Sequence, residues 1–148
     1  METLSTNPAF NTYALCSAIL ALKMLLSAFY TGLQRQRTRG YANPEDARFF
    51  GGEGAPAPSQ DAPQVAHALR IQRNDLENIP AFFAIGLIYV LTGASALGAS
   101  AYFWVFTVAR VLHTIFYMNH VQPWRAISYG VGTLSMLGMI THVAMATL

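Results

Sequence analysis

HALRIQRNDLENIPAFFAIGLIYVL, residues 67–91, decides how the rest of the chain is read. Its second half is an apolar run, while its first half carries Arg70, Arg73, Asp75 and Glu77. The apolar run alone falls short of the roughly 20 residues that cross a ~30 Å hydrocarbon core. A helix from about Ala62 to Gly93, rising about 1.5 Å per residue, exceeds that thickness by several turns. The charged beginning of such a helix projects into water or lines a polar cleft. Asp61 is a candidate cap and Pro63 is tolerated in the first turn. Pro80 lacks a backbone donor and predicts a bend where the polar half meets the apolar half.

The 148 residues are 53% hydrophobic and only 11% charged, against a charged share of about 25% in soluble domains. The composition points to an all-α integral membrane protein. Four stretches, about 11–33, 62–93, 100–119 and 125–147, are long enough or nearly so to span, which predicts a four-transmembrane-helix bundle in a single domain covering 1–148. Four helices enclose little interior volume, so a sizeable binding cavity calls for neighbouring subunits. The connection 34–61 is rich in Gly, Pro and charge, and its length makes it a candidate for function. The other two connections, TGASALGAS and NHVQPW, are short; Pro123 and Trp124 suit a helix start at the membrane interface.

The opening METLSTNPAF has no Lys or Arg ahead of its apolar segment, and that segment is too long for a signal-peptide core, so a retained first helix is expected. Cys16 is the sole cysteine, which rules out an intrachain disulfide. The four histidines are dispersed, and no Cys or His pair has metal-ligand spacing, so no metal site is expected. No Gly-rich phosphate loop and no Ser-His-Asp or Cys-His arrangement is present, and nothing calls for a nucleic-acid partner. Any nucleophile arrives with the ligand.

Positive charge orients the chain. Arg35, Arg37, Arg39 and Arg48 lie in or beside the first connection, Arg70 and Arg73 just after it, and Arg125 at the third; the positive-inside rule makes that side cytoplasmic. Lys23 falls near a helix centre, where an isolated charge costs ~2.5–3.5 kcal/mol on insertion scales, and is expected to snorkel or face a helix interface.

The polar residues converge. Arg70, Arg73, Asn74 and Glu77 follow i, i+3, i+4, i+7 and share one helix face. Arg110, His113 and Tyr117 do the same on the third helix, and Arg125 and Tyr129 are an i, i+4 pair opening the fourth. With Arg35 at the end of the first helix, they describe a cationic pocket at the cytoplasmic end. Several guanidinium groups and one carboxylate match a small ligand with more than one carboxylate and an ammonium. Taken singly, each has a plainer reading. Arg35, Arg37 and Arg39 could bind anionic headgroups, Arg73 and Glu77 could be a helix ion pair, and the tyrosines could be interface aromatics. The whole set, with an intramembrane Arg110, favours a ligand site.

RNDLENI, ANPEDA at 42–47, RVLHTIFY at 110–117 and the PWR opening of the fourth helix together resemble the membrane-associated proteins in eicosanoid and glutathione metabolism, the MAPEG family. The similarity covers nearly the whole chain from LCSAILALKM onward. It implies a homotrimer of four-helix bundles, multi-pass in the bacterial inner membrane or the endoplasmic reticulum, with glutathione bound between subunits toward the cytoplasm. Glutathione contacts implied by position are Arg35, Arg70, Arg73, Asn74, Glu77, His113, Tyr117, Arg125 and Tyr129. The resemblance places Arg125 at the thiol and matches Asp46 to an acid implicated in prostaglandin isomerisation. The implied activity is glutathione-dependent conjugation to a lipophilic electrophile, or reduction of a lipid hydroperoxide. A prostaglandin-E-synthase-like isomerase and a non-enzymatic lipid-binding scaffold are the alternatives. The chain departs from the prostaglandin branch at Ala126, where that branch has serine, at Gly130, where it has threonine, and in a connection one residue shorter before Pro123.

Overall fold

The computed structural model describes residues 6–50 and 61–148, and among them all regular structure is helical. The five helices are α1 (Pro8–Thr38), α2 (Pro44–Phe50), α3 (Pro63–Leu91), α4 (Ala96–Met118) and α5 (Trp124–Thr147). Three of the four long ones, α1, α4 and α5, are long and apolar enough to cross a membrane. The other, α3, is long enough at 29 residues, but Arg70, Arg73, Asp75 and Glu77 load its first half with charge. It runs unbroken through Pro80.

Capping explains where the helices begin and end. α1 starts ahead of the apolar stretch because Asn7 Oδ1 accepts from the backbone N–H groups of Ala9 at 2.9 Å and Phe10 at 3.4 Å, satisfying donors that a helix N-terminus leaves without partners. It ends on Arg39, whose φ of 54° is left-handed. The N–H of Gly40 returns to Arg35 O at 3.1 Å, and that of Arg39 to Gln36 O at 3.3 Å, the two bonds of a Schellman ending. α4 repeats both devices. Ser95 Oγ accepts from Gly98 N at 3.1 Å and starts the helix at Ala96, inside the small-residue segment expected to be a turn. At the far end, His120 takes φ 57° while Val121 N bonds Phe116 O at 2.9 Å. The polar connection is not wholly irregular either: Pro44, Glu45 and Asp46 open α2, with proline in the first turn and acids near the positive end of the helix dipole. The rest of that connection, GGEGAPAPSQ, lies outside the described residues. Asp61, expected as a cap for α3, instead accepts from Arg35 Nη1 at 3.2 Å, because the opposite charge outcompetes a backbone donor.

The chain forms two compact units, one comprising the segment up to Lys23 with Glu77–Leu148, the other Met24–Leu76. In the first, α4 and α5 make the densest contact between elements. Small residues of α5 face α4: Ser135 Oγ donates to Tyr102 O at 2.8 Å, and a Cβ on Gly138 would lie 2.5 Å from the Tyr102 ring. In lipid, where apolar burial drives little association, close approach at small residues is what holds helices together. Aromatic rings fill the remainder. Phe82 stacks on Phe106 with centroids 4.7 Å apart, and Tyr13 lies against Phe82 and Phe103 while donating to Phe83 O at 2.8 Å. Lys23 is buried, as expected of a mid-helix lysine that faces inward.

In the second unit, Ser27 Oγ donates to the buried carboxylate of Asp75 at 2.6 Å. Such a charge-assisted bond offsets part of the cost of burying that group. Large apolar side chains such as Leu25 and Phe29 on α1 remain exposed, at 69% and 71%, which suits a lipid-facing surface.

Gly138→Ala tests the α4–α5 seam. The added methyl meets Tyr102, and we expect a loss of about 1–3 kcal/mol of stability, the usual cost of overpacking, read as a lower thermal midpoint in detergent. An unchanged midpoint would show that the seam is not closely packed.

Candidate functional site

The turn from α4 to α5 gathers four of the residues singled out in the sequence. His113, one helical turn before Tyr117, is buried, and its Nδ1 lies 2.9 Å from the backbone oxygen of Arg125. A carbonyl oxygen can only accept, so Nδ1 carries the proton and the imidazole is held in one tautomer. Its ring meets Tyr117 edge-on at 5.7 Å and Tyr129 at 5.8 Å. The Arg125 guanidinium lies over the Tyr117 ring at 4.6 Å, within cation–π range. The Gln122 amide completes the cluster. In the orientation that satisfies both groups, its oxygen accepts from Arg125 Nη2 at 2.6 Å and Nε at 3.1 Å.

Behind this cluster lies Arg110, only 1% exposed. Its Nη2 donates to Asn78 Oδ1 at 3.0 Å, and its guanidinium lies 5.1 Å from the centre of the Tyr129 ring and 5.6 Å from that of Phe106. Gly132 makes room for it: a Cβ there would stand 3.3 Å from Arg110 Nε. One buried cation thus joins α3 through Asn78 to α5 through Tyr129. Asn78 and Gln122 were not singled out from sequence. Asn78 directly follows the conspicuous Glu77, and Gln122 sits in a short connection whose geometry no periodicity predicts.

On α3, Arg70, Arg73 and Glu77 are exposed and Asn74 is half-buried. They occupy the face opposite the buried Ala68, Ile71, Asp75 and Ile79, as the helical spacing requires. Arg35 and Asp46 line a separate cavity of about 370 Å³ with Gly32, Gln36, Tyr41 and Phe50. Arg35 also donates to Gly40 O at 3.1 Å, and Asp46 Oδ2 accepts from Asn43 Nδ2 at 3.0 Å. Arg35 and Asp46 are therefore held by their neighbours at the mouth of a mixed polar and aromatic space. Among the described residues no three His, Cys, Asp or Glu side chains come together as a metal site.

An apolar groove of about 630 Å³ runs between α4 and α5, walled by Trp104, Val108, Leu112, Phe116, Trp124 and Ile127. Phe116 precedes Tyr117 and Trp124 precedes Arg125, so the groove ends beside the cationic cluster. A cationic, aromatic cluster and an apolar groove are adjacent.

A helical, lipid-adapted chain with a cationic, aromatic cluster at one end of an apolar groove is built as a membrane protein. The chain belongs to the MAPEG family, whose profile matches residues 13–145. It is 36% identical to prostaglandin E synthase from Homo sapiens over 139 residues, 93% of this chain and 90% of that protein. It is 40% identical to microsomal glutathione S-transferase 1 from Rattus norvegicus over 133 residues, 86% of this chain and 84% of that protein.

The Arg110 contacts make a direct prediction. Asn78→Leu removes an acceptor from a buried guanidinium and should cost about 1–3 kcal/mol, measured as a lowered unfolding midpoint in detergent. A variant as stable as the parent would mean that the Asn78 bond does not stabilise the fold.

Proposed function

We propose that this chain is a glutathione-dependent membrane enzyme that ionises the glutathione thiol and delivers the thiolate to lipophilic substrates. The observation that carries the reading is Arg125, whose guanidinium is held over Tyr117 at 4.6 Å at the end of an apolar groove. A free thiol has a pKa of about 8.5 and is mostly protonated at neutral pH; a guanidinium bonded to sulfur favours the charged form. Membership of the MAPEG family, with relatives named for glutathione transfer and prostaglandin E synthesis, supports the same reading.

In this proposal the working unit is a homotrimer of four-transmembrane-helix bundles, and glutathione is the cosubstrate, bound between neighbouring subunits. Arg35, Arg70, Arg73 and Asn74 take its two carboxylates and backbone, Glu77 its ammonium, and His113, Tyr117 and Tyr129 flank the sulfur held by Arg125. The arginines beside the α1 end and at the α5 start favour a cytoplasmic site by the positive-inside rule. The substrate enters along the α4–α5 groove. With an electrophile, the thiolate forms a carbon–sulfur bond and either displaces a leaving group, which departs with the bonding electron pair, or adds to an activated double bond whose other carbon then takes a proton. With a lipid hydroperoxide, two glutathione molecules end as the disulfide while the peroxide becomes an alcohol and water.

A second reading, prostaglandin-E-synthase-like isomerisation, is favoured by the Asp46–Arg35 cavity and the relatives of that name. Ala126 stands where the resemblance expects the serine hydroxyl, and Ala126→Ser should raise endoperoxide isomerisation above the parent level if this activity resides here. Product analysis with no gain would count against it.

Arg125→Ala tests the main reading. The thiolate ultraviolet band of bound glutathione should vanish at neutral pH, and kcat/KM should fall by roughly 10²–10³, the usual effect of removing one preorganised electrostatic group. The pH profile checks the sign: the thiolate is the reactive form, so the rate of the parent rises with pH through the bound-thiol pKa and levels off at lower pH than in the variant. Failure of the purified trimer to bind glutathione would sink the proposal.

A further inference from the structure

Gln122 has no part in the reading above, yet it is the side chain that grips Arg125. It lies in the exposed connection, three residues before Arg125. Its amide oxygen accepts from Nη2 at 2.6 Å and from Nε at 3.1 Å. The opposite amide orientation would set NH₂ donors against guanidinium donors, so the oxygen must face the arginine. Nε and Nη2 form one edge of the guanidinium fork. With that edge held by Gln122 and the plane laid over Tyr117 at 4.6 Å, the group has a single placement, and its remaining edge, centred on Nη1, points elsewhere.

We propose that Gln122 is a positioning residue for Arg125, a neutral acceptor that fixes the guanidinium without cancelling its charge and thereby sets how strongly the bound thiol ionises. The inference rests on the assignment of Arg125 to the glutathione sulfur. Its chemistry is specific to an amide. A carboxylate in the same place would form a bidentate ion pair with Arg125 and put a negative charge near the thiolate, which disfavours ionisation. An apolar side chain of the same size would leave the guanidinium free to swing on its long stem, and the preorganisation that makes such a group effective would be lost. Only a neutral double acceptor combines a fixed geometry with an undiminished positive charge.

The test uses the full-length protein in detergent with glutathione itself, following the thiolate absorbance of the bound tripeptide against pH in parent, Gln122→Glu and Gln122→Met. Gln122 is exposed, so both variants are expected to fold and assemble as the parent does. Gln122→Glu should raise the bound-thiol midpoint by about one pH unit, leaving roughly tenfold less thiolate below it. Gln122→Met should raise it by a smaller amount and lower kcat for conjugation about tenfold at neutral pH, with the KM for glutathione changed by less than about threefold. A merely structural residue would alter stability or KM and leave the midpoint in place. Parent-like midpoint and kcat in Gln122→Met overturn the proposal, even if Gln122→Glu shifts, because a nearby added charge alone would explain that shift. A parent protein that binds no glutathione removes the underlying reading together with this one. Binding by the parent with midpoints unmoved in the variants removes the role of Gln122 alone.

Discussion

A guanidinium buried among apolar helices is the constraint on which the packing of α3, α4 and α5 around it depends. Arg110 sits at 1% exposure, and an intramembrane charge is tolerated only where the surrounding groups replace its water. Here the replacements come from different helices: the Asn78 amide on α3, the Tyr129 ring on α5 and the Phe106 ring on α4 itself. Gly132 is small because the guanidinium lies against the α5 backbone at that point. The contacts to Asn78 and Tyr129, which lower the cost of the charge, also fix the register of α3 and α5 against α4. The same contacts hold Tyr129 against His113, so the demand to solvate one cation shapes the wall of the candidate site.

Two kinds of surface meet at the α4–α5 turn. On one side His113, Tyr117, Arg125 and Gln122 form a web of directed contacts, with a proton located on His113 Nδ1 by a carbonyl acceptor and a guanidinium fixed on an aromatic face. On the other, Trp104, Phe116 and Trp124 line a groove with almost no polar group. A water-soluble thiol and a lipid-soluble substrate have no common solvent, and a boundary between such surfaces is where they can meet. Electrostatic stabilisation of a thiolate is also stronger beside a dry wall than in open water.

Much of this was legible in the residues. The spacing of Arg70, Arg73, Asn74 and Glu77 placed them on one face of a helix, and the structure puts that face opposite Ala68, Ile71 and Ile79, because helical periodicity alone sets which side chains share a side. The helix ends were less legible. α4 begins within a small-residue segment that looked like a turn, since a single serine oxygen at Ser95 is enough to start it. Asp61 looked like a cap and became a partner of Arg35, because a charge brought near by the tertiary fold outweighs a local backbone donor. α2 arose inside an expected loop, where Pro44 and two acids suffice to nucleate two turns.

The helical class, the lipid-facing composition, the family resemblance, and the alignment of polar residues along individual helices were readable in the residues alone, for these follow from composition and from the fixed pitch of the backbone. That Asn78 and Tyr129 share Arg110, that His113 bonds the Arg125 carbonyl, and that Gln122 holds the Arg125 side chain emerged with the fold. Those contacts join different helices or cross a turn, and no local rule sets their geometry. They depend on how closely two backbones approach at residues such as Gly132 and Gly138, which is settled by packing and not by pattern.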